Sequence, residues 1–155
     1  MSLLREHILR GQAIATAGPL RAQVAERLLE LGAALEPLED GLDQEHGSEW
    51  ARSRAPLHGL VLDAAAPFGD GGRERLELTL QSGWTAIAAV ATGALVPAAA
   101  DAVATAGEAA PPSGCGAPAG AASRILLIAP PPAAGPHAGA IRAALENLAR
   151  TLATG

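Results

Sequence analysis

The sequence predicts an α/β fold built on a small parallel sheet with helices on both faces. Three observations carry that expectation. Short apolar runs recur at 12–16, 57–62 and 124–129, longer segments with apolar residues at helical spacing lie between them, and Gly/Pro pairs punctuate the boundaries. Strands that alternate with helices pair in parallel. At 155 residues the chain reads as one domain, 1–155, long enough to bury a core.

The run "QAIAT" (12–16), stopped by Gly18-Pro19, predicts a buried first strand and its turn. A helix follows over 20–31, because Leu20, Val24, Leu28 and Leu31 share one face while Arg21, Glu26, Arg27 and Glu30 take the others. Gly32 is its C-terminal stop. Residues 33–38 predict a weak second strand that Pro37 confines to a sheet edge.

The polar segment 39–56, with Trp50 as its large apolar anchor, predicts a loop holding a short helix near 48–54. "LHGLVL" (57–62) is the next buried strand, closed by the loop "DAAAPFGDGG". A long helix is expected over 74–105, with a break at Gly83 and a kink at Pro97 facing Gly93. Residues 107–122 are Pro/Gly/Ala-rich and predict a flexible loop. Residues 124–129 form the strongest strand signal, and 137–154 the last helix.

Composition narrows the function classes. A net charge of −5 with dispersed arginines and few aromatics gives no footprint for nucleic acid. The single cysteine, Cys115, permits no internal disulfide, reads as an inert loop thiol and fits the cytoplasm. The apolar stretch 86–100 is mostly alanine and is interrupted by Pro97, so a buried helix is expected rather than a membrane anchor. His7, His46, His58 and His137 show no metal-ligand spacing, and no serine sits in a nucleophile elbow. Structural histidines are expected, and no metal.

Several strings resemble the short-chain dehydrogenase/reductase family, nearest to its 3-oxoacyl-thioester reductases. "QAIATAG" with "VAERLLELGA" is similar to the family's first strand and helix, and "LHGLVLDAA" to its fourth strand. "GWTAIAAVATG" is similar to its long interface helix, and "RILLIAPPP" with "AALENLARTLA" to its fifth strand and following helix. The resemblance implies a truncated Rossmann-like three-layer fold with, in the family's strand numbers, an order near 2-1-4-5. The family's third strand would be replaced by the 39–56 loop, and its last strands would be missing after Thr154.

The resemblance also implies an erased active site. The family's glycine loop, TGxxxGxG, brings backbone amides to the cofactor pyrophosphate; "TAGPLRAQ" reaches the helix about three residues early and puts Pro19, Leu20 and Arg21 there. Arg21 reads either as a phosphate contact or as a first-turn arginine in water. The family's Asn-Asn-Ala-Gly becomes Leu62-Asp63-Ala64-Ala65. Asp63 reads either as a general base at a strand's carboxyl end or as a cap.

The family's asparagine, serine, tyrosine and lysine fall on Ala91, Pro130, Ala138 and Arg142. No register restores the pair, since the chain has no tyrosine, all eleven of its Lys+Arg residues are arginine, and its one asparagine is Asn147. Guanidinium does not deprotonate at working pH, so Arg142 does not replace the lysine. His137 is the nearest proton-transfer group, but without a bound nicotinamide there is no hydride for its proton to accompany.

Family members assemble through the helices after their fourth and fifth strands. In the last helix, Ala138, Ile141, Leu145, Leu148 and Leu152 suit the sheet, while Ala140, Ala143, Ala144, Asn147 and Thr151 form a small-residue face for a second helix. The expected protein is therefore a catalytically silent subunit, with no cofactor, that pairs with an active relative or with itself. The alternative is an active NAD(P)-dependent oxidoreductase using His137 or Asp63 in a rearranged site. A third is a fragment, because "LARTLATG" stops where the family continues.

Overall fold

The computed structural model describes residues 7–39, 41–68, 72–95 and 124–154. They form β1 (Ala13–Ala17), α1 (Ala22–Glu30), β2 (Ala34–Leu38), α2 (Gln44–Ser53), β3 (Gly59–Asp63), α3 (Ala65–Phe68) and α4 (Arg73–Val90). A π-helical turn (Ala91–Leu95), β4 (Arg124–Ile128), a 3₁₀ turn (Pro132–Ala134) and α5 (Pro136–Thr154) follow. The expected flexible loop at 107–122, the extension of α4 to 105 and the kink at Pro97 lie outside the described residues.

All strand pairs are parallel, and the order is β2-β1-β3-β4. Counted along the chain this is 2-1-3-4 rather than 2-1-4-5, because no strand stands between β2 and β3 among the described residues. β3 is buried along its whole length, as a central parallel strand covered on both faces must be. On one face Ala15, Ala17, Leu60 and Leu62 pack with Ala51 of α2, Ile87 and Val90 of α4, and Ala138 and Ile141 of α5. On the other, Ile14, Val61 and Ile128 meet Leu20, which precedes α1, and Val24 and Leu28 of α1.

α1 ends as its sequence predicts. Gly32 has φ 89°, its N–H donates to Leu29 O at 2.9 Å, and Ala33 N–H donates to Leu28 O at 3.1 Å. That is a Schellman stop, which requires the left-handed conformation glycine adopts without strain. β2 lies at the edge with Pro37 opposite Thr16.

Three expectations are corrected. The 39–56 segment is no polar loop with a helix at 48–54: α2 starts four residues earlier, at Gln44, because Asp43 is an N-cap whose carboxylate accepts His46 N–H at 2.9 Å. Its Gly47, Ser48 and Ala51 are buried against α4. The loop after β3 contains α3, whose Phe68 is a core residue. α4 does not break at Gly83, because that residue is buried in the helix interior, where a Cβ would stand 2.9 Å from Leu62 Cδ2.

β4 carries the strongest strand signal yet is an edge strand of the described sheet, with Leu126 48% exposed. α4 widens into the π turn at Ala91, where Thr92 Oγ1 donates to Ala88 O at 2.7 Å beside the backbone amide that Ala88 O also accepts, and Ser48 Oγ lies 3.3 Å from Ala89 O.

The α2 cap is charge-assisted on both sides. Asp43 is held below its ordinary 3.8 by the His46 backbone N–H and then by the His46 ring, while His46 is raised above 6.5 by the Asp43 carboxylate. The His46 contribution is complete below 6.5 and fades as pH rises through the raised value. The Asp43 contribution is complete above 3.8 and fades as pH falls through the lowered value. The cap is therefore expected to be tightest from pH 3.8 to 6.5. An NMR titration of Asp43→Ala should return His46 toward its ordinary value; an unmoved His46 midpoint would contradict this cap.

Candidate functional site

In an open parallel sheet the ligand crevice lies outside the carboxyl ends of the strands, where the order reverses. Here the chain leaves β1 toward β2 on one side and returns to β3 on the other, so the reversal falls between β1 and β3. β1 delivers Gly18, at φ 71°, then Pro19, Leu20 and Arg21, the N-cap residue of α1. β3 delivers Asp63 as its last residue.

These two residues form one unit. Asp63 Oδ2 accepts Arg21 N–H at 3.1 Å and Arg21 Nε–H at 2.8 Å, and Asp63 Oδ1 accepts Ala65 N–H at 3.2 Å. The carboxylate is wholly buried and the Arg21 side chain is 46% exposed. The N-terminus of α1 thus holds an anion, favoured by the helix dipole and by the free amide, and that anion belongs to the protein. Neither oxygen of Asp63 is open to solvent, so the group anchors the β1–α1 turn to β3.

The consequence for a phosphate is electrostatic. A unit negative charge about 4 Å from the Asp63 carboxylate meets a repulsion of about 4 kcal/mol at an effective dielectric of 20, before any offset from Arg21. Of the two readings of Arg21, phosphate contact or solvated arginine, the geometry supplies a third: it neutralises Asp63. In the sequence alone the two residues carry separate readings. The missed signal is their placement on either side of the reversal, visible only once β1 and β3 are paired.

The family's tetrad positions divide. Pro130 and Ala138 are fully buried, and Arg142 Nη1 donates to Pro130 O at 3.3 Å, so these three meet where β4 passes into α5. Ala138 faces the core. Ala91 is remote: Gly83 packs on Leu62 near the carboxyl end of β3, and eight helical residues carry the chain about 12 Å further along α4. His137 is half-buried at the second position of α5.

Two histidines take structural roles. His58 Nδ1 accepts Ala13 N–H at 3.1 Å and His58 N–H donates to Ala13 O at 2.8 Å, tying the amino ends of β1 and β3. His46 closes the α2 cap. Thr79 is a buried polar residue that sequence reading passed over; its Oγ1 has no hydrogen-bond partner among the described residues. No group of three metal-ligating side chains occurs among the described residues, and no described helix is long and apolar enough to cross a membrane.

The expected small-residue face of α5 points outward. Ala140, Ala143, Asn147 and Thr151 are exposed and Ala144 is half-buried, while Ala138, Ile141 and Leu145 are buried. An open groove of about 550 Å³ runs between β4 and α5, and Asp63 is not among its lining residues. The fold and this edge define a small parallel α/β protein with an internal ion pair at its crevice. No protein-family model, curated protein or solved structure matches the chain.

Proposed function

We propose that this chain is a catalytically silent subunit of the short-chain dehydrogenase/reductase type, a truncated Rossmann-like protein of the cytoplasm. It assembles with an active acyl-thioester oxidoreductase of the same type, or with itself, and stabilises or positions it. The observation that carries the reading is the Arg21–Asp63 pair, which fills with a buried carboxylate the place a dinucleotide needs for its pyrophosphate. The outward face of Ala140, Ala143, Ala144, Asn147 and Thr151 supports the assembly half of the reading, since small residues allow close helix approach.

Calorimetric titration with NADH and NADPH is expected to give no saturable heat. Co-expression with active reductases followed by size exclusion is expected to give a mixed species that Ala143→Arg abolishes. Saturable coenzyme binding would replace this reading by an active oxidoreductase using His137 or Asp63. A protein that always elutes as a monomer, without the reductase and without a second copy, would remove the assembly role.

A further inference from the structure

We propose that the edge of β4 that pairs with no described strand, with the groove beside it, receives a second copy of this chain. The two β4 strands pair antiparallel about a two-fold axis, joining two four-stranded sheets into one. This surface is distinct from the outward face of α5 invoked above, and the proposal does not depend on that reading.

The two edges of the sheet differ. β2 carries Glu36, paired to Arg54 at 2.8 Å, and Pro37, which has no N–H to offer; both are devices that discourage strand addition. β4, "RILLI", has neither: its one charge is Arg124 at the first position. Its sequence is also self-complementary. Centred on Leu126, antiparallel pairing sets Ile125 against Leu127 of the second copy, Leu126 against Leu126, and Arg124 against Ile128. No like charges face each other.

Both faces of the strand favour the same occupant. On the helix side, Ile125 and Leu127 form the floor of the groove and Leu145 and Ala149 its wall, with Arg142 and Glu146 on its lining, so the groove carries no net charge. A two-fold axis normal to the sheet at that edge keeps both α5 helices on one face and merges two such grooves into one trough between antiparallel helices. On the other side Leu126, 48% exposed, is covered by its counterpart. The closed two-fold also consumes the edge, so growth stops at two chains.

Light scattering of the full chain across a wide concentration range should show a mass rising to twice that of the monomer. Leu126→Lys should weaken self-association by about tenfold or more, because two ammonium groups then face each other on the axis. The position is half exposed, so the variant should keep the helical circular dichroism of the parent. Hydrogen exchange of the parent protein gives a second readout: amides within 124–128 should gain protection as concentration rises. A monomer at every concentration, a dimer that Leu126→Lys leaves intact while Ala143→Arg breaks it, or concentration-independent exchange of β4 would each overturn the proposal.

Discussion

Arg21→Met is expected to lower the unfolding free energy by about 3 kcal/mol, and Asp63→Asn by only about 1–2 kcal/mol, although both break the same pair. The asymmetry follows from burial. Asp63 is wholly enclosed, whereas Arg21 is 46% exposed. Removing the arginine leaves a buried carboxylate with only the amides of Arg21's position and Ala65; removing the acid leaves a guanidinium that water can reach. Asparagine also keeps an oxygen to accept from those amides. Urea unfolding of the two variants side by side measures the difference, and equal losses, or a larger loss in Asp63→Asn, would refute the anchoring role assigned to the pair.

Gly93→Ala is expected to cost about 2–3 kcal/mol, while Gly83→Ala should change stability by less than about 1 kcal/mol. Both glycines are buried in the same helical segment. At Gly93 a Cβ would stand 2.6 Å from Ser48 O and 3.0 Å from Ser48 Cα, so it meets the backbone of α2, which cannot yield without moving the helix. At Gly83 the nearest atom is Leu62 Cδ2, the free end of a side chain that can rotate, and alanine brings better helix propensity in return. Thermal denaturation decides the case: if Gly93→Ala melts within a few degrees of the parent, α2 and the π turn are not packed as closely as described.

These two sites also mark how far the sequence could be read. The strands at 12–16, 57–62 and 124–129, the α1 periodicity and the Gly32 stop rest on local patterns that one strand or one helix satisfies by itself, and the observed elements fall within one or two residues of them. Beyond the local pattern, reading failed for identifiable reasons. The polarity of 39–56 hid α2 because its buried residues are Gly47, Ser48 and Ala51, chosen for small size rather than for hydrophobicity. Gly83 suggested a break because its partner, Leu62, lies 21 positions away in sequence.

The candidate site was half legible. The occupation of 19–21 by Pro19, Leu20 and Arg21 in place of the family's glycine loop, and the absence of tyrosine and of a lysine, can be seen without coordinates. That Arg21 and Asp63 neutralise each other cannot, since they are 42 positions apart and meet only across the reversal between β1 and β3. Pro37 alone places residues 33–38 at an edge, whereas the edge position of β4 depends on the order of all the described strands.

By itself, then, the sequence determined which segments become strands and helices and which chemical groups the protein lacks, because periodicity, turn residues and composition act over a few residues or none. Tertiary structure alone decided which charges meet, which glycines are pinned by a neighbouring helix and which apolar strand stands at the edge of the described sheet. Those outcomes depend on pairing between segments far apart along the chain, and pairing is set by the joint burial of the faces they share.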